Sequence, residues 1–316
     1  MEYVFSIAIQ IILVILIAPL SDGIIKKIKA ISQKRKGSSV FQLYYDLWKL
    51  FRKDMVISDK STWIFRMAPY IVFGSSIVAA AFVPVSTIIK VPDFSGDIIL
   101  VISVLTLGRF FQTLAALDTS STFGGIGSSR EIMISSLFEP ALLVAIFTLG
   151  LVSKSTSIIG MFQYSEDLGF SVLQPAYLLI FFAIFVVLIA EISRTPVDDP
   201  ATHLELTMVH EAMVLEYSGR YLALMELGAV IKQLIFITIL ANIFIPISIE
   251  PFTGSNFSLA ILLILIYILK VVFISFLLGV SEVLTVKLKL FRVPDLAALS
   301  FIASLLAFIQ MVIMGR

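Results

Sequence analysis

Residues 173–192 read LQPAYLLIFFAIFVVLIAEI, and their only charged side chain is Glu191. An α-helix rises about 1.5 Å per residue, so roughly 20 residues cover the hydrocarbon core of a bilayer. An apolar run of this length therefore predicts a helix that crosses a membrane. The number of such runs in the chain decides the fold.

Seven further runs of the same character lie on either side of this one. They cover residues 3–20, 67–91, 98–117, 132–152, 222–247, 259–279 and 294–314. The composition agrees, because 59% of the 316 residues are hydrophobic and 14% are charged, whereas about 25% of the residues in a soluble globular chain are charged. We predict one all-α, polytopic membrane domain over residues 1–316, with about eight transmembrane helices and a kink at Pro84.

Lysine and arginine residues concentrate on one side of this topology. The odd-numbered connections cover about residues 21–66, 118–131, 193–221 and 280–293. They carry 17 Lys and Arg residues, whereas the other side carries Lys90, Lys154 and Arg316. Because cytoplasmic loops are enriched in Lys and Arg, we predict that these connections are cytoplasmic and that both termini lie outside. The expected location is the cell inner (cytoplasmic) membrane.

The sequence lacks the motifs of several enzyme classes. It contains no phosphate-binding Gly-Lys-Thr loop, no dinucleotide-binding fingerprint and no nucleophile elbow. Residues 123–129, FGGIGSS, are rich in glycine, but no predicted strand precedes them, so we interpret them as a tight turn between the third and fourth spans. The chain has no cysteine, which excludes thiolate ligation of an iron–sulfur cluster here. We expect no cofactor in this chain and any redox metal in a partner.

An amphipathic helix is predicted within the first connection. Four aromatic side chains from Phe41 to Trp48 have the helical spacing i, i+3, i+4 and i+7, and basic residues flank them. Aromatic rings at headgroup depth beside basic residues are typical of a helix that lies in the membrane interface. Two roles remain open for this helix, a membrane-surface anchor and a platform for a cytoplasmic partner.

Charged residues within or next to the spans indicate function. An ionisable side chain at the centre of a membrane helix costs about 2.5–3.5 kcal/mol on insertion scales, so it normally faces a cavity or a partner. The residues concerned are Arg109, Glu139, Glu191, Glu226, Lys232, Lys270 and Glu282. For Glu139 the span offers no local structural explanation. An alternative role for Arg109 and Lys232 is to pair with acids inside the bundle.

The fifth connection holds the densest group of ionisable residues. These are Arg194, Asp198, Asp199, His203, Glu205, His210, Glu211, Glu216 and Arg220. A helix is predicted from about Thr202 to Tyr217, and its period places Glu205 and Glu216 on one face. Carboxylates that share a face at partial burial repel each other, which raises their pKa and lets them exchange protons near neutral pH.

Structural explanations stay open for several of these residues. Thr202 and Glu205 have the spacing of a capping box, in which the glutamate only closes a helix start. Asp199 precedes a proline and suits a turn or a helix entry. His203 and His210 are seven residues apart and lack the i, i+4 spacing of a zinc-binding pair, so we expect no metal site.

Motifs along the whole chain resemble one family. The segment EISRTPVD at residues 191–198, followed by EYSG at 216–219, resembles the signature cytoplasmic loop of the complex I membrane-arm family known as respiratory chain subunit 1. FQLYYDLWKLF at residues 41–51 resembles the first-loop motif of that family. GSSRE at 127–131 and FRVPD at 291–295 are similar to two further landmarks, and all of these segments occur in the family's order.

One segment distinguishes between branches of this family. THLELTMVHE at residues 202–211 resembles the branch found in hydrogenase four, formate hydrogenlyase and related energy-converting hydrogenases. Val197 stands where the complex I branch usually has phenylalanine, and Gly37-Ser38-Ser39 stands where it usually has Gly-Pro. Because the second region borders the quinone entrance in complex I, quinone binding is left open.

The resemblance implies a non-catalytic subunit of an oxidoreductase complex. Its cytoplasmic loops would dock a large subunit with a [NiFe] centre and a small subunit with iron–sulfur clusters, and its carboxylates would begin a proton path toward antiporter-like membrane subunits. The expected proton-path residues are Glu139, Glu191, Glu205, Glu216 and Glu226. The expected supporting charges are Arg194, Asp198, Glu211 and Lys232. The expected docking residues are Tyr44, Tyr45, Asp46, Lys49, Arg130 and Arg220.

Three other functions are consistent with parts of the sequence. The quinone-binding membrane subunit of a complex I type oxidoreductase is the main alternative. A stand-alone secondary transporter would show internal repeats, and none is evident. A purely structural anchor would tolerate neutralisation of every buried carboxylate. The sequence leaves open whether the complex evolves hydrogen or reduces another acceptor, and whether the translocated ion is a proton or sodium.

Overall fold

The computed structural model describes residues 2–58, 61–85, 91–169, 174–199, 208–247 and 256–313. Within these residues the chain forms α-helices joined by short connections, with a 3-10 turn at Leu290–Arg292 and no β-strand. The helices are α1 Glu2–Ser32, α2 Gln42–Arg52, α3 Trp63–Phe82, α4 Asp97–Asp118, α5 Thr122–Ser153, α6 Ile158–Leu168, α7 Pro175–Glu191, α8 His210–Val214, α9 Gly219–Phe244, α10 Asn256–Leu284 and α11 Val293–Ile313. The predicted all-α architecture is confirmed.

Seven helices in the described part of the chain are long and apolar enough to cross a membrane. They are α1, α3, α4, α5, α9, α10 and α11. The apolar helix α7 has 17 residues, so the predicted total of about eight spans stays a prediction. These helices make the chain a multi-pass membrane protein.

Two local predictions are wrong. α3 ends at Phe82, so Pro84 follows the helix instead of kinking it. The glycine-rich residues 123–129 are not a turn but the start of α5. Their glycines permit close packing, because a Cβ atom on Gly124 would lie 2.5 Å from the backbone oxygen of Ala116, and one on Gly127 would lie 2.9 Å from that of Val209.

The helix α9 lies at the centre of the bundle. In its most apolar stretch 78% of the residues are buried, against 33–44% in the other six long helices. It contacts α1, α3, α7 and α10. The charged residues within its span, Glu226 and Lys232, therefore face the interior of the bundle instead of lipid.

The connections meet at two ends of the bundle. One end, which we call the basic end, consists of residues 33–58, 119–121, 192–199, 208–218 and 285–289. Its connections bind one another, since Leu288 donates its backbone N–H to the Pro196 oxygen at 2.8 Å and Ser218 Oγ accepts from the Val56 N–H at 2.8 Å. The other end, which we call the opposite end, includes α6 and the connections on either side of it.

The helix α2 lies where the amphipathic helix is predicted. Leu43 and Leu47 are buried, whereas Tyr45 and Trp48 are exposed. The Arg52 guanidinium lies 4.4 Å above the Trp48 ring. The buried leucines pack the helix against the bundle, and its location at a membrane surface stays a prediction.

Candidate functional site

A cavity of about 130 Å³ opens between α1, α3, α4, α5 and α9 and is closed by the fifth connection. This volume is large enough for several water molecules. Its ionisable lining residues are Asp22, Lys26, Arg109, Glu131, Glu191, Arg194, His210, Glu211, Glu226 and Lys232. The lining thus has five carboxylates, four Lys or Arg side chains and one histidine, so its carboxylates outnumber its Lys and Arg side chains by one.

The first group of side chains in the cavity centres on Arg109 of α4. Its guanidinium contacts Glu191 at the end of α7, and it lies 3.3 Å from Glu139 and 3.7 Å from Glu131, both of α5. Lys232 of α9 lies 2.8 Å from the same Glu191 oxygen that Arg109 contacts. We call these five residues the Arg109 cluster.

The Arg109 cluster contains three carboxylates and two cations. The Glu191 side chain is 3% exposed, whereas that of Glu139 is 36% exposed on the outer surface of the bundle. A buried group of this kind is stable only when its charges are paired, and the third carboxylate provides a place for one extra proton. The cluster therefore connects the interior of the cavity with the outer face of α5.

The second group centres on Arg194 of the fifth connection. Its guanidinium contacts Asp22 of α1 and donates at 2.8 Å both to Glu282 of α10 and to the amide oxygen of Gln233 of α9. Burial alone lowers the pKa of Arg194, but Asp22 and Glu282 raise it above its usual value. Arg194 therefore remains charged and joins three helices. We call these four residues the Arg194 cluster.

Asp198 attaches the fifth connection to two other segments. Its carboxylate is buried and accepts from the backbone N–H groups of Val209 and His210 at 3.3 and 3.2 Å. Lys287 of the seventh connection lies 2.6 Å from its other oxygen. A carboxylate with these partners positions α8 and does not line the cavity.

One part of the cavity wall is formed by α8 and the start of α9. His210 Nδ1 lies 3.3 Å from the Gln112 side-chain nitrogen, and Glu211 and Glu226 line the cavity beside it. Imidazole and carboxylate side chains are groups that can exchange protons with water. The roles predicted for Glu211 and Glu226 stay predictions.

Glu216 does not lie where the predicted helix places it. Its side chain is exposed, whereas the adjacent Tyr217 is buried, stacks on Phe65 with ring centroids 4.1 Å apart, and donates its hydroxyl to the Phe65 oxygen at 3.0 Å. Burial of the Tyr217 ring turns the chain at this point, so Glu216 faces away from the cavity. Within the described residues the predicted helix is reduced to α8, and Glu205 and His203 lie outside them.

Four of the six predicted docking residues are exposed at the basic end or beside it. They are Tyr45, Asp46, Lys49 and Arg220. Tyr44 instead donates its hydroxyl to the Leu16 backbone oxygen, and Arg130 donates to the Met208 oxygen at 3.2 Å. Arg130 therefore holds the end of the fifth connection against α5.

Sequence reasoning missed Asp22, Glu131 and Gln233. Asp22 follows the first predicted span, but α1 continues to Ser32 and places it inside the bundle. Glu131 precedes the fourth predicted span, and α5 begins nine residues earlier at Thr122. Both acids could have been identified by extending the predicted helices beyond the ends of the apolar runs.

In the part of the chain that the structure describes, no group of three or more His, Cys, Asp or Glu side chains is arranged to hold a metal ion.

The sequence profile of the family described as NADH dehydrogenase matches residues 5–314. Hydrogenase-4 component C of Escherichia coli (strain K12) is 32% identical over 88% of this chain and 86% of its own length. Formate hydrogenlyase subunit 4 of the same organism is 31% identical over 96% of this chain and 97% of its own length.

More distant relatives share the fold. NADH-ubiquinone oxidoreductase chain 1 of Triticum aestivum is 26% identical over 70% of this chain and 70% of its own length. A chain from the structure of the membrane-bound sulfane sulfur reductase, an archaeal respiratory membrane complex, superposes with a TM-score of 0.84 at 18% identity, over 97% of this chain and 100% of that one. The chain therefore belongs to the NADH dehydrogenase family and matches its hydrogenase branch.

Proposed function

We propose that this chain anchors the soluble redox arm of an energy-converting, [NiFe] hydrogenase-like complex and begins its proton path. Its relatives are components of hydrogenase and respiratory membrane complexes, which supports a role as a membrane subunit of an energy-converting complex. The observation that carries the proposal is a cavity large enough for several water molecules, in which carboxylates outnumber Lys and Arg side chains by one.

Protons enter this path at the basic end. His210, Glu211 and Glu226 line the cavity and form the entrance in this proposal. The proton then passes to the Arg109 cluster. A proton that binds there neutralises the excess carboxylate, and its departure restores the negative charge. The path omits Glu216, because that side chain is exposed away from the cavity, whereas the place of Glu205 in it remains a prediction.

The soluble arm acts on the cavity through the fifth connection. Arg194 reaches from this connection to α1, α9 and α10, and Asp198 joins it to α8 and the seventh connection. A change of charge or shape in a docked partner would move these groups together. Gln233 of the Arg194 cluster directly follows Lys232 of the Arg109 cluster in α9. Such a movement would therefore shift Lys232 and change the electrostatic potential at Glu191.

The path leaves the chain at Glu139. This side chain lies near the middle of α5, and 36% of its surface is exposed. A carboxylate exposed to lipid at this depth is costly, so the neighbouring surface is expected to be an antiporter-like membrane subunit. The redox centres, a [NiFe] site and iron–sulfur clusters, belong in the soluble partners, and the basic end faces the cytoplasm of a cell inner membrane.

The test replaces Glu191 by glutamine in the intact complex. The amide keeps the shape of the side chain and an oxygen that can accept from Arg109 and Lys232. Glu131 and Glu139 remain to balance the two cations, so the complex is expected to assemble. Protons translocated per electron are expected to fall about tenfold or more, since a residue that transfers protons typically contributes a factor of 10²–10⁴. Asp54→Asn, at an exposed carboxylate of the basic end, is the matched control and is expected to keep the native ratio.

The quinone-binding membrane subunit of a complex I type oxidoreductase is the second candidate. The relative from Triticum aestivum is named as a chain of an NADH-ubiquinone oxidoreductase and matches 70% of this chain. Purification of the tagged chain with its partners, followed by assays for nickel, iron and hydrogen evolution, separates the two. Nickel with hydrogen evolution supports the hydrogenase-like complex. Quinone reduction without nickel supports the alternative, and a chain that purifies alone contradicts both.

A further inference from the structure

Glu131 differs from the other two carboxylates of the Arg109 cluster in how it contacts the central cation. Its side chain is 8% exposed, and its carboxylate lies 3.7 Å from Arg109 Nε. This distance is about 0.5–1 Å longer than an N–H···O hydrogen bond. In agreement, Arg109 Nε is buried and has no hydrogen-bond partner in the described part of the chain. The contact between Glu131 and Arg109 is therefore an ion pair without a hydrogen bond.

The other two carboxylates of the cluster accept hydrogen bonds from Arg109. Glu191 does so with an oxygen that also lies 2.8 Å from the Lys232 ammonium. Glu139 accepts from another nitrogen of the guanidinium at 3.3 Å, and 36% of its side chain is exposed. A carboxylate takes up a proton most readily where it is buried and where no cation donates a hydrogen bond to it. Of the three carboxylates, Glu131 meets both conditions.

A proton on Glu131 also balances the charge of the cluster. With all its groups ionised, the cluster holds three negative and two positive charges. When Glu131 is neutral, Glu139 and Glu191 balance the two cations, and every hydrogen bond of Arg109 persists. A neutral Glu191 would instead weaken its short contacts with both cations. Protonation of Glu131 therefore disturbs the cluster least.

Glu131 lies where α5 contacts the fifth connection. The preceding residue, Arg130, donates to a backbone oxygen of that connection at 3.2 Å. One turn earlier, a Cβ atom on Gly127 would lie 2.9 Å from the Ala212 side chain of α8. Close-packed segments transmit displacements, so a shift of the fifth connection also moves this turn of α5. A shift of about 0.5–1 Å is enough to form a hydrogen bond between Glu131 and Arg109 Nε.

We propose that Glu131 is the proton-loading site of the cavity, and that the fifth connection controls it through the distance between Glu131 and Arg109 Nε. The inference rests on the proposed function, because it concerns the proton that the cavity transfers. At the distance in this structure, a hydronium ion in the cavity gives its proton to the Glu131 carboxylate and becomes water. When the distance shortens, Arg109 donates to Glu131 and favours its charged form. The proton then passes to the Glu139 carboxylate, so that one O–H bond breaks and one forms.

The test is infrared difference spectroscopy on the oxidised and reduced forms of the intact complex. A protonated carboxyl group has a C=O stretching band that a carboxylate lacks, and the frequency of this band differs between aspartic and glutamic acid. We expect a redox-dependent band that shifts in Glu131→Asp, disappears in Glu131→Gln and stays unchanged in Glu191→Asp. A band that shifts in Glu191→Asp instead, or one that persists in Glu131→Gln, would overturn the proposal, as would the lack of a band in the native complex.

The number of protons translocated per electron is measured on the same variants in membrane vesicles. Glu131→Gln is expected to lower this ratio about tenfold or more, whereas Glu131→Asp keeps a group that titrates and is expected to lower it less. Glu216→Gln, the same change at an exposed glutamate, is the matched control and should keep the native band and ratio. Equal losses in the two Glu131 variants with an unchanged band would show a structural role and contradict the proposal.

The two aspartate variants decide the outcome if Glu131→Gln does not assemble, because both keep a carboxylate in the cluster. Glu191→Gln, measured in parallel, separates the inference from the function on which it rests. If Glu191→Gln lowers the ratio and Glu131→Gln does not, the cavity transfers protons but Glu131 is not its loading site. If both variants keep the native ratio, the proposed function itself fails.

Discussion

Polar residues at the two ends of the bundle have different kinds of partner. At the opposite end they mostly bind backbone atoms: Gln10 donates to the Ala80 and Val83 oxygens, Asp97 accepts from the Ile158 N–H, and Asn242 donates to the Pro84 oxygen. These contacts satisfy groups at helix ends and in connections. Near the basic end, charged side chains bind other charged side chains, as in the Arg109 and Arg194 clusters.

This difference distinguishes polar residues that stabilise the fold from polar residues that can transfer protons. An amide side chain such as that of Gln10 or Asn242 binds backbone groups without any change of charge. A network with an extra carboxylate can bind and release a proton without breaking the fold, although it needs every cation to remain in place.

The largest expected effect comes from removing the central cation of one cluster. Arg194→Leu leaves Asp22 and Glu282 buried without their main partner, so we expect a loss of about 3–5 kcal/mol in stability and no assembled complex. The measurement is the thermal unfolding midpoint in detergent together with co-purification of partners. Arg220→Leu, at an exposed arginine, is the control, and equal losses in the two variants would contradict the role of the Arg194 cluster.

A smaller effect is expected where α5 approaches the fifth connection. Gly127→Ala places a Cβ atom 2.9 Å from both the Val209 oxygen and the Ala212 side chain, and overpacking of this kind costs about 1–3 kcal/mol. Because the variant shifts α8 without changing any charge, protons translocated per electron should fall in complexes that assemble. Gly125→Ala, where a Cβ atom meets nothing within 4 Å, should behave as the native chain does; a similar fall in that variant would rule out the packing explanation.

At the opposite end a buried hydrogen-bonding side chain is expected to affect stability alone. Gln10→Leu removes two bonds to the backbone of α3 and of the residue that follows it, each contributing about 0.5–1.5 kcal/mol. The unfolding midpoint should therefore fall, whereas the proton-to-electron ratio should not change. Gln163→Leu, at an exposed position of α6, serves as the control. A changed proton-to-electron ratio in Gln10→Leu would contradict the assignment of a purely structural role to this side chain.

The smallest effect is expected at Glu216. Its exposed carboxylate lies outside the cavity, so Glu216→Gln should change stability by less than about 0.5 kcal/mol and should keep the native proton-to-electron ratio. The measurements are again the thermal unfolding midpoint and the number of protons translocated per electron. A loss of translocation comparable with that of Glu191→Gln would support the helical face predicted from the sequence and would require Glu216 to approach the cavity in the working complex.

The amino-acid sequence by itself determined the membrane helices, the family and several members of the site. Hydrophobic runs specify helices because the period and length of the pattern are local properties of the chain. Glu191, Glu226 and Lys232 line the cavity, and each was identifiable from the cost of burying a charge. Arg194, which also lines it, was identifiable from the family motif of the fifth connection.

Only the tertiary structure decided which charges pair. Arg109 contacts Glu191 across 82 residues of sequence, and Arg194 contacts Asp22 across 172, so no local pattern could assign these partners. Glu216 illustrates the converse, because helical spacing places it on a face with Glu205, while the burial of the Tyr217 ring against Phe65 turns it outward. Local periodicity determines which residues are able to share a face, and the packing of distant helices determines which of them meet.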